Sequence, residues 1–407
     1  MRKDAIVAAA GIAGGQGIVI LSTPYLARLY SAQEFGVYAA VVAVATVAAT
    51  VSSLRFDVAI PAVADHDVLP LFRAALVLPA FVCILIFGLF RIFPPEIVAA
   101  FGVAPTLIGV VSAVAFIQGS VAACQSLLVR RGLFVQGAIL RVMQPLGFVV
   151  VAGFSLSSLP SALLAGWILA LIIALSLIRT QLLPFNCAAA VAATKRAWRY
   201  PVFSAPMALL DTLSLALPVL FIVEAYGSQA AGNYSQVQRL VAAPLLLLGA
   251  ATSQVFFKHA GDMYRRGAGL QPIIYRVVSA LASMGVILLS LVWMFGEPLM
   301  KLLLGEGWRT DTMFLVLVLA PVVVRMAVSP ISSIFLICNR LGLGVAWQLG
   351  YFIVTAGLLA YSYNRLDFDS FLVAFLVCEL LSYSCYLMLA AIVARVIVRN
   401  TESAGNG

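Results

Sequence analysis

Residues 35–52 read FGVYAAVVAVATVAATVS, a stretch of eighteen residues without one charged side chain. A helix rises about 1.5 Å per residue, so about 20 such residues cross the roughly 30 Å of hydrocarbon in a lipid bilayer. The whole chain has the same character, because 63% of its 407 residues are hydrophobic and 10% are charged. Soluble domains average about half apolar and a quarter charged. The composition therefore predicts a membrane protein and excludes a soluble enzyme, a disordered chain and a fibrous protein.

Twelve apolar runs of this kind follow one another along the chain. They predict an all-α polytopic membrane protein, because they are too long for membrane strands and lack strict alternation of polar and apolar residues. The connecting loops are too short to hold a separate globular domain. The predicted runs, numbered as helices 1 to 12, are 5–27, 35–60, 69–90, 105–128, 133–155, 161–178, 203–225, 234–257, 274–296, 312–338, 343–361 and 370–394.

The basic residues are distributed unevenly between the two sides of this arrangement. Of the 25 Lys and Arg residues, fifteen fall on the side that carries the N-terminus, five on the opposite side and five within the predicted runs. Cytoplasmic loops of membrane proteins are enriched in Lys and Arg. We therefore predict that both termini are cytoplasmic. The net charge of +9 then reports orientation and requires no nucleic-acid partner.

A short motif recurs in the two halves of the chain. Residues 36–38 (GVY), at the join of helices 1 and 2, match residues 232–234 (GNY), at the join of helices 7 and 8, with an offset of 196 residues. A weaker match relates residues 128–132 to residues 337–342. Duplication of a six-helix unit predicts two lobes of the same orientation, related by a pseudo-two-fold axis along the membrane normal. The predicted parts are lobes 1–180 and 203–396, a cytoplasmic linker 181–202 and a cytoplasmic tail 397–407.

Eight charged residues inside the predicted runs are candidates for function. A charged side chain near the bilayer centre costs at least about 2.5–3.5 kcal/mol, so such residues usually face protein or water. With Arg276, which is not a candidate, arginines outnumber acids in the runs by five to four. Because a guanidinium binds phosphate through two parallel hydrogen bonds, this mild excess suggests an anionic cargo. The eight candidates are Arg55, Asp57, Arg141, Asp211, Glu224, Arg239, Arg325 and Glu379.

These charges have different predicted roles. Arg55 either lines a cavity or extends its side chain to the cytoplasmic surface. Asp211 lies near the middle of predicted helix 7, where we expect a water-filled cavity or a buried hydrogen bond, and it is the candidate for coupling to a proton or cation. The role of Arg141 stays open. Two structural ion pairs are also predicted, Glu224 with Arg239 and Arg325 with Glu379.

The cysteines and histidines predict no metal site and no cofactor. The six cysteines are scattered without a CxxC pair. The two histidines, His66 and His259, fall in predicted cytoplasmic loops and are too few for a zinc site.

Several motifs resemble those of Wzx-type polysaccharide flippases. Residues 21–38 (LSTPYLARLYSAQEFGVY) are similar to the start of that family, and residues 54–60 (LRFDVAI) to the end of its second helix. Residues 200–206 (YPVFSAP), 231–234 (AGNY) and 305–308 (GEGW) are similar to segments of its second half. The family belongs to the multidrug/oligosaccharidyl-lipid/polysaccharide exporter superfamily. The resemblance implies two six-helix lobes around a central cavity.

The same resemblance implies a function and a set of partners. It implies flipping of undecaprenyl-pyrophosphate-linked repeat units of O-antigen or exopolysaccharide across the bacterial inner membrane. Related lipid II flippases carry cavity arginines in helices 1, 2 and 8, and Arg55 and Arg239 match two of them. Arg28 departs from that pattern because it lies at the outer end of helix 1; with Asp57 it completes the substrate-binding candidates. The implied partners are the lipid-linked oligosaccharide, membrane lipid and other polysaccharide assembly proteins.

Two other functions stay open. One is a cation-coupled multidrug exporter of the same superfamily, although an exporter of cations is expected to contain more interior acids. The other is a membrane-embedded glycan polymerase or ligase. The short outer loops and the lack of a dense cluster of catalytic-type residues disfavour it, so we predict that the chain is not an enzyme.

Overall fold

The computed structural model describes residues 2–92, 103–154, 157–181 and 186–405. This part of the chain is helical and contains no β-strand, which confirms the all-α prediction. The long helices, labelled α1 to α12, are Arg2–Leu29 (α1), Ala32–Ser52 (α2), Asp65–Ile92 (α3), Ile108–Arg130 (α4), Phe134–Gly153 (α5), Leu159–Ile178 (α6), the two parts 205–226 (α7) and 228–265 (α8) of the segment Ala205–Arg265, Gln271–Leu304 (α9), Thr312–Val328 (α10), Leu341–Ser362 (α11) and Phe368–Gly405 (α12).

Gly227 divides one continuous helical segment into α7 and α8. Its backbone has φ 86° and ψ 165°, a conformation that residues other than glycine rarely adopt. The described residues hold eleven helical segments long and apolar enough to cross a membrane, and one of them, Tyr200–Val241, is 42 residues long. About 20 residues suffice for one crossing. The break at Gly227 therefore makes this segment two spans, and each of the twelve predicted runs corresponds to a helix.

Two predicted runs do not continue as single helices. The run 35–60 is helical only to Ser52, because Leu54 and Arg55 adopt left-handed φ values of 50° and 61° that end the helix before a short helix, Phe56–Ala59. The run 312–338 changes after Val328 into a 3₁₀ turn at Ser329–Ser333 and a short helix, Ile334–Ile337. Here Pro330 cannot donate a backbone hydrogen bond to the preceding turn.

The start of α2 is fixed by its own sequence. Ser31 caps the helix by accepting a hydrogen bond from the Glu34 N–H at 3.3 Å, and the Glu34 carboxylate accepts one from the Ser31 N–H at 2.8 Å. This reciprocal capping box satisfies two backbone donors that helix formation would otherwise leave without partners. It places Gly36 in the second turn of α2, facing the start of α8.

The two copies of the recurring motif pack against each other. A methyl group added to Gly36 would overlap the carbonyl oxygen of Ser228 in the first turn of α8. A methyl group added to Gly232 would overlap the carbonyl oxygen of Ala32 in the first turn of α2, and it would lie 3.0 Å from the Gly36 nitrogen. The missing side chains thus let the starts of α2 and α8 meet at backbone distance.

The chain divides into two compact units, Met1–Ser235 and Gln236–Gly407. In the first unit a core of fully buried residues, including Leu71, Phe72 and Leu127, lies between α3 and α4. In the second unit the core includes Ile274, Ile331 and Ala390 from the region of α9, α10 and α12. The lobe and linker limits at residues 180, 203 and 396 stay a prediction.

Candidate functional site

The predicted substrate-binding residues of helix 2 lie just beyond its end, in the turn before the short helix Phe56–Ala59. Arg55 has φ 61° and ψ 18°, and its Nε is buried without a hydrogen-bond partner. Asp57 is 8% exposed and accepts a 2.6 Å hydrogen bond from the Ser53 hydroxyl. The prediction that Arg55 and Asp57 belong to the helix 2 span is therefore wrong, because left-handed backbone ends α2 first.

Arg55 carries its charge without a carboxylate partner among the residues that the structure describes. Leaving a buried donor without an acceptor costs about 1–3 kcal/mol, and more for a charged group. Asp57, two residues on, uses its carboxylate to accept from Ser53 instead. A phosphate or another anion at this position would supply the acceptors that the protein does not.

Asp211 is exposed on α7, six residues after Ala205, where that helix begins. Its predicted role, in a water-filled cavity or in a buried hydrogen bond, stays a prediction. The next residue, Thr212, lies with its Oγ1 3.2 Å from the Oγ1 of Thr50 near the end of α2. Asp211 is therefore adjacent in sequence to a contact between α2 and α7.

Three other predicted charges lie along α1, α7 and α8. Arg239 is partly buried and lies eleven residues into α8, about 16 Å from the start of that helix. Arg28 is exposed in the last turn of α1, and Glu224 is exposed near the end of α7. Glu224 and Arg239 belong to different units, so their ion pair stays a prediction.

Arg325 and Glu379 form the predicted ion pair in the second unit. The Arg325 Nη2 lies 2.9 Å from Glu379 Oε1, and Glu379 is fully buried. The Tyr351 hydroxyl joins both, accepting from Arg325 at 3.0 Å and donating to Glu379 at 2.6 Å. The other carboxylate oxygen of Glu379 is buried and has no hydrogen-bond partner among the described residues. The three side chains therefore bond to one another but leave one acceptor unsatisfied.

Aromatic rings surround that cluster. The Trp347 ring stacks on Tyr351 with ring centroids 5.2 Å apart, and the edges of Tyr383 and Tyr386 contact Trp347. The Trp347 Nε1 donates to the Ser382 carbonyl at 3.1 Å. Such an aromatic shell excludes water and strengthens the electrostatic attraction between the two charges inside it.

Arg141 lines a cavity of about 260 Å³ within the first unit. Its Nη1 donates to the Ala8 carbonyl of α1 at 3.3 Å. The polar residues that share this cavity are Gln16 of α1, Gln125 of α4, Gln144 of α5 and Trp167 of α6. Arg141 therefore has a place in the structure that the sequence did not assign.

A second group of ion pairs lies at the predicted cytoplasmic face of the first unit. Arg196, at the end of the linker helix Cys187–Arg196, donates from its Nε to the buried carboxylate of Asp67 at 2.8 Å. Arg130 of α4 donates to Asp65 at 2.7 Å and to the Pro61 carbonyl at 2.8 Å. These bonds tie the linker helix and the loop before α3 to the unit.

Sequence reasoning missed the polar groups that carry no charge. Tyr351 completes the Arg325–Glu379 pair, and Gln16, Gln125 and Gln144 share the cavity of Arg141. The signal was present, because an amide inside an apolar run is costly unless it finds a partner. Within the described residues, no group of three or more His, Cys, Asp or Glu side chains is arranged to hold a metal ion.

Solved structures that share this fold are MATE transporters. An inward-facing multidrug resistance MATE family transporter of the MOP superfamily has a TM-score of 0.62 at 12% identity, with 96% of each chain covered. An outward-facing one has a TM-score of 0.55 at 14% identity, covering 98% of this chain and 96% of its own. A single-residue variant of the Vibrio cholerae MATE transporter VcmN has a TM-score of 0.54 at 12% identity, with coverages of 98% and 96%.

At these identities the likeness shows the fold alone, which is the twelve-helix, two-lobe architecture. No match is found among curated protein sequences. Residues 25–313, more than two thirds of the chain, match the family described as polysaccharide biosynthesis protein. The chain therefore belongs to the polysaccharide biosynthesis protein family and has the fold of the MATE transporters of the MOP superfamily.

Proposed function

We propose that the chain is a flippase for undecaprenyl-pyrophosphate-linked oligosaccharide repeat units in a bacterial inner membrane. The observation that carries this proposal is the combination of a polysaccharide biosynthesis family with the fold of membrane transporters. Hydroxyl-rich sugars cross hydrocarbon at a high cost because each polar group loses its hydrogen bonds to water. A protein that offers them a polar route between the two leaflets, opening to one side at a time, removes that cost.

The positions of the arginines along their helices support an assignment of roles. Arg55, at the end of α2 that we predict to be cytoplasmic, would receive the pyrophosphate at the level of the lipid headgroups. Its buried Nε without an acceptor fits this role. Arg239, about 16 Å into α8, would hold the pyrophosphate midway. Arg28, in the last turn of α1, would meet it at the outer surface.

Asp57 and Asp211 complete this assignment. Asp57 is held by Ser53 beside Arg55, and it would keep the turn that presents the guanidinium in its left-handed conformation. Asp211 is exposed on α7 and remains the candidate for coupling flipping to a proton or cation. Both termini would be cytoplasmic, as the distribution of basic residues predicts.

Deletion of the gene followed by extraction of cellular lipids tests the proposed function. We expect a lipid-linked oligosaccharide to accumulate on the cytoplasmic leaflet, where a membrane-impermeant glycan-modifying enzyme added to the outer face does not reach it. The mass of that lipid identifies the repeat unit. An unchanged lipid pool, or accumulation on the outer leaflet, would contradict flipping; outer-leaflet accumulation would instead favour a polymerase or ligase.

A second candidate function is export of small cationic drugs by coupling to a cation. The fold favours it, because two of the similar structures are of multidrug resistance transporters. Expression in a drug-sensitive host separates the two functions. Resistance to cationic compounds without any change in lipid-linked oligosaccharides would support the exporter, whereas a flippase leaves drug sensitivity unchanged.

A further inference from the structure

A partly open cavity lies among α1, α4, α5 and α6 of the first unit. It has a volume of about 260 Å³, and its polar lining consists of Gln16, Gln125, Arg141, Gln144 and Trp167. Small-molecule sites begin at about 300 Å³, so the cavity fits one small polar molecule and not an oligosaccharide. Its place between the helices of one unit distinguishes it from the arginines at residues 55 and 239.

The amide side chains of this cavity have no hydrogen-bond partners within the described part of the chain. None of Gln16, Gln125 and Gln144 makes a side-chain hydrogen bond to another residue that the structure describes. Each amide offers two donors and an acceptor. Gln16 is exposed and Gln125 and Gln144 are half-buried, so their amides are available to an occupant. The Trp167 Nε1 at the same cavity is buried without a hydrogen-bond partner among the described residues, and an occupant with an acceptor would satisfy it.

The positive charge of Arg141 indicates which kind of molecule the cavity would bind. Arg141 is the sole charged residue in the described lining. One of its donors bonds to the Ala8 carbonyl, and a guanidinium has five N–H donors in all. Because no carboxylate shares the lining, an anionic group on the occupant would complete the site through charge-assisted hydrogen bonds.

The helices hold these side chains in a fixed arrangement. Gly15 of α1 packs on the Arg141 carbonyl, which an added Cβ would approach to 2.6 Å, and Gly166 of α6 packs on the Gln144 carbonyl, which an added Cβ would approach to 2.5 Å. Pro145 has no N–H, so the Arg141 carbonyl lacks its usual partner one helical turn later. Backbone contacts on both sides of α5 therefore place Arg141 and Gln144 rigidly at the cavity.

We propose that this cavity binds one acidic sugar residue, and that it does so as part of the flippase activity proposed above. The carboxylate of the sugar would accept hydrogen bonds from Arg141, and its hydroxyls would exchange hydrogen bonds with Gln16, Gln125 and Gln144. The apolar face of the sugar ring would pack against the indole of Trp167. The flippase would then recognise the negative charge of one sugar residue in its substrate.

Binding of free monosaccharides to the purified full-length protein tests the proposal without any transport. The probes are glucuronate, glucose, acetate and inorganic phosphate, and the readouts are tryptophan fluorescence and the thermal unfolding midpoint in detergent. We expect a saturable response to glucuronate and at least about tenfold weaker responses to the other three, the difference being that of a charge-assisted hydrogen bond. A similar response to phosphate would point to a general anion site and overturn the proposal.

Three variants locate the binding. Arg141→Gln should abolish the preference for glucuronate over glucose, whereas Arg276→Gln, which removes an exposed arginine of α9, should keep it. Trp167→Phe should remove the fluorescence response and retain the thermal shift, although four other tryptophans remain. The proposal is wrong if no probe gives a response, or if Arg141→Gln leaves the preference unchanged.

The binding experiment can fail or succeed independently of the proposed flippase activity. Glucuronate binding that depends on Arg141, in a protein that moves no lipid-linked oligosaccharide, would keep the cavity and reject the flippase. Flipping that persists without any glucuronate binding would keep the flippase and reject the cavity as a sugar site.

Discussion

Gly36 lies against the backbone carbonyl of Ser228, and the same contact occurs with the two halves exchanged, between Gly232 and Ala32. The two contacts are equivalent, because position 228 lies 196 residues after Ala32 and position 232 lies 196 residues after Gly36. The recurring motif is thus in contact with its own copy. A pair of reciprocal contacts of this kind is what a two-fold axis between α2 and α8 produces.

Replacing either glycine by alanine should destabilise the protein. Each added Cβ would overlap a backbone carbonyl, which cannot move aside as a flexible side chain could, and overpacking typically costs about 1–3 kcal/mol. We expect similar decreases in the thermal unfolding midpoint for Gly36→Ala and Gly232→Ala in detergent. The double variant should lose less stability than the sum of the losses in the two single variants, because one shift of the helices relieves both overlaps.

Gly17→Ala is the matched control, because an added Cβ at Gly17 in α1 meets no atom within 4 Å. It should leave stability unchanged or raise it slightly, since alanine favours helix over glycine by about 1 kcal/mol. Equal stability of all three variants would show that α2 and α8 do not meet at these residues.

Breaking the Arg325–Glu379 pair should be more damaging than removing it. Arg325→Met leaves the fully buried Glu379 without its cation, which typically costs about 3–5 kcal/mol. Adding Glu379→Gln removes the stranded charge, so the double variant should be more stable than Arg325→Met alone. A thermal midpoint of the double variant at or below that of the single variant would contradict a buried pair.

The Tyr351 hydroxyl should contribute less than either charge. Tyr351→Phe removes one donor to Glu379 and one acceptor for Arg325, while it keeps the ring stacked on Trp347. The expected loss is about 1–3 kcal/mol in unfolding free energy. Trp347→Phe, measured beside it, should lose stability through packing and the bond to Ser382 without affecting the ion pair.

Acid should weaken the start of α10. Asp311 caps that helix by accepting from the Phe314 N–H at 3.1 Å, and Arg309 donates to it at 2.7 Å. Burial raises the pKa of Asp311, but the hydrogen bonds from Arg309 and Phe314 outweigh it, so its pKa lies below the ordinary value of 3.8. A depressed folded pKa contributes stability that is present above the unfolded pKa and lost as the pH falls through the folded pKa.

Asp311→Asn isolates this charge, because asparagine caps helices about as well as aspartate. The wild-type protein should unfold at a higher temperature than the variant above about pH 5, and the difference should shrink below about pH 4. Thermal midpoints measured across that range check this expectation. A difference that stays constant down to pH 3, or grows on acidification, would show that the Asp311 carboxylate does not stabilise the fold.

The linker helix Cys187–Arg196 should loosen when its ion pair is removed. Asp67 is buried and bonds to Arg196 at the end of that helix. Arg196→Ala should raise the amide hydrogen exchange of residues 187–197 by roughly twofold to fivefold, the effect expected of one ion pair whose arginine is half-exposed. Lys195→Ala, which removes the exposed neighbouring charge, should leave the exchange unchanged.

The fold was predictable because it depends on the order of apolar and polar residues along the chain. Long apolar runs separated by short loops predict helices, and the GVY and GNY copies at residues 36–38 and 232–234 predict a duplicated unit. The ends of helices were less predictable. Nothing in the composition of residues 53–60 signals that Leu54 and Arg55 adopt left-handed backbone, a conformation that non-glycine residues rarely take.

The candidate site was predictable only in part, because partners come from different helices. The Arg325–Glu379 pair was foreseen from the cost of burying each charge. Tyr351 was not, since a tyrosine inside an apolar run is common and its hydrogen bonds depend on how α10, α11 and α12 pack. The cavity around Arg141 likewise required the positions of four helices.

Flipping by purified protein tests the central claim most directly. Proteoliposomes that contain a labelled undecaprenyl-pyrophosphate-linked oligosaccharide are assayed with a membrane-impermeant glycan-modifying enzyme. The account predicts transfer well above that of empty vesicles, and at least about tenfold slower transfer for Arg55→Ala and Arg239→Ala than for Arg276→Ala, because each lost charged contact is worth about 1.5–3 kcal/mol. Transfer no faster than in empty vesicles would contradict it, and equal rates for all three variants would reject the roles given to Arg55 and Arg239.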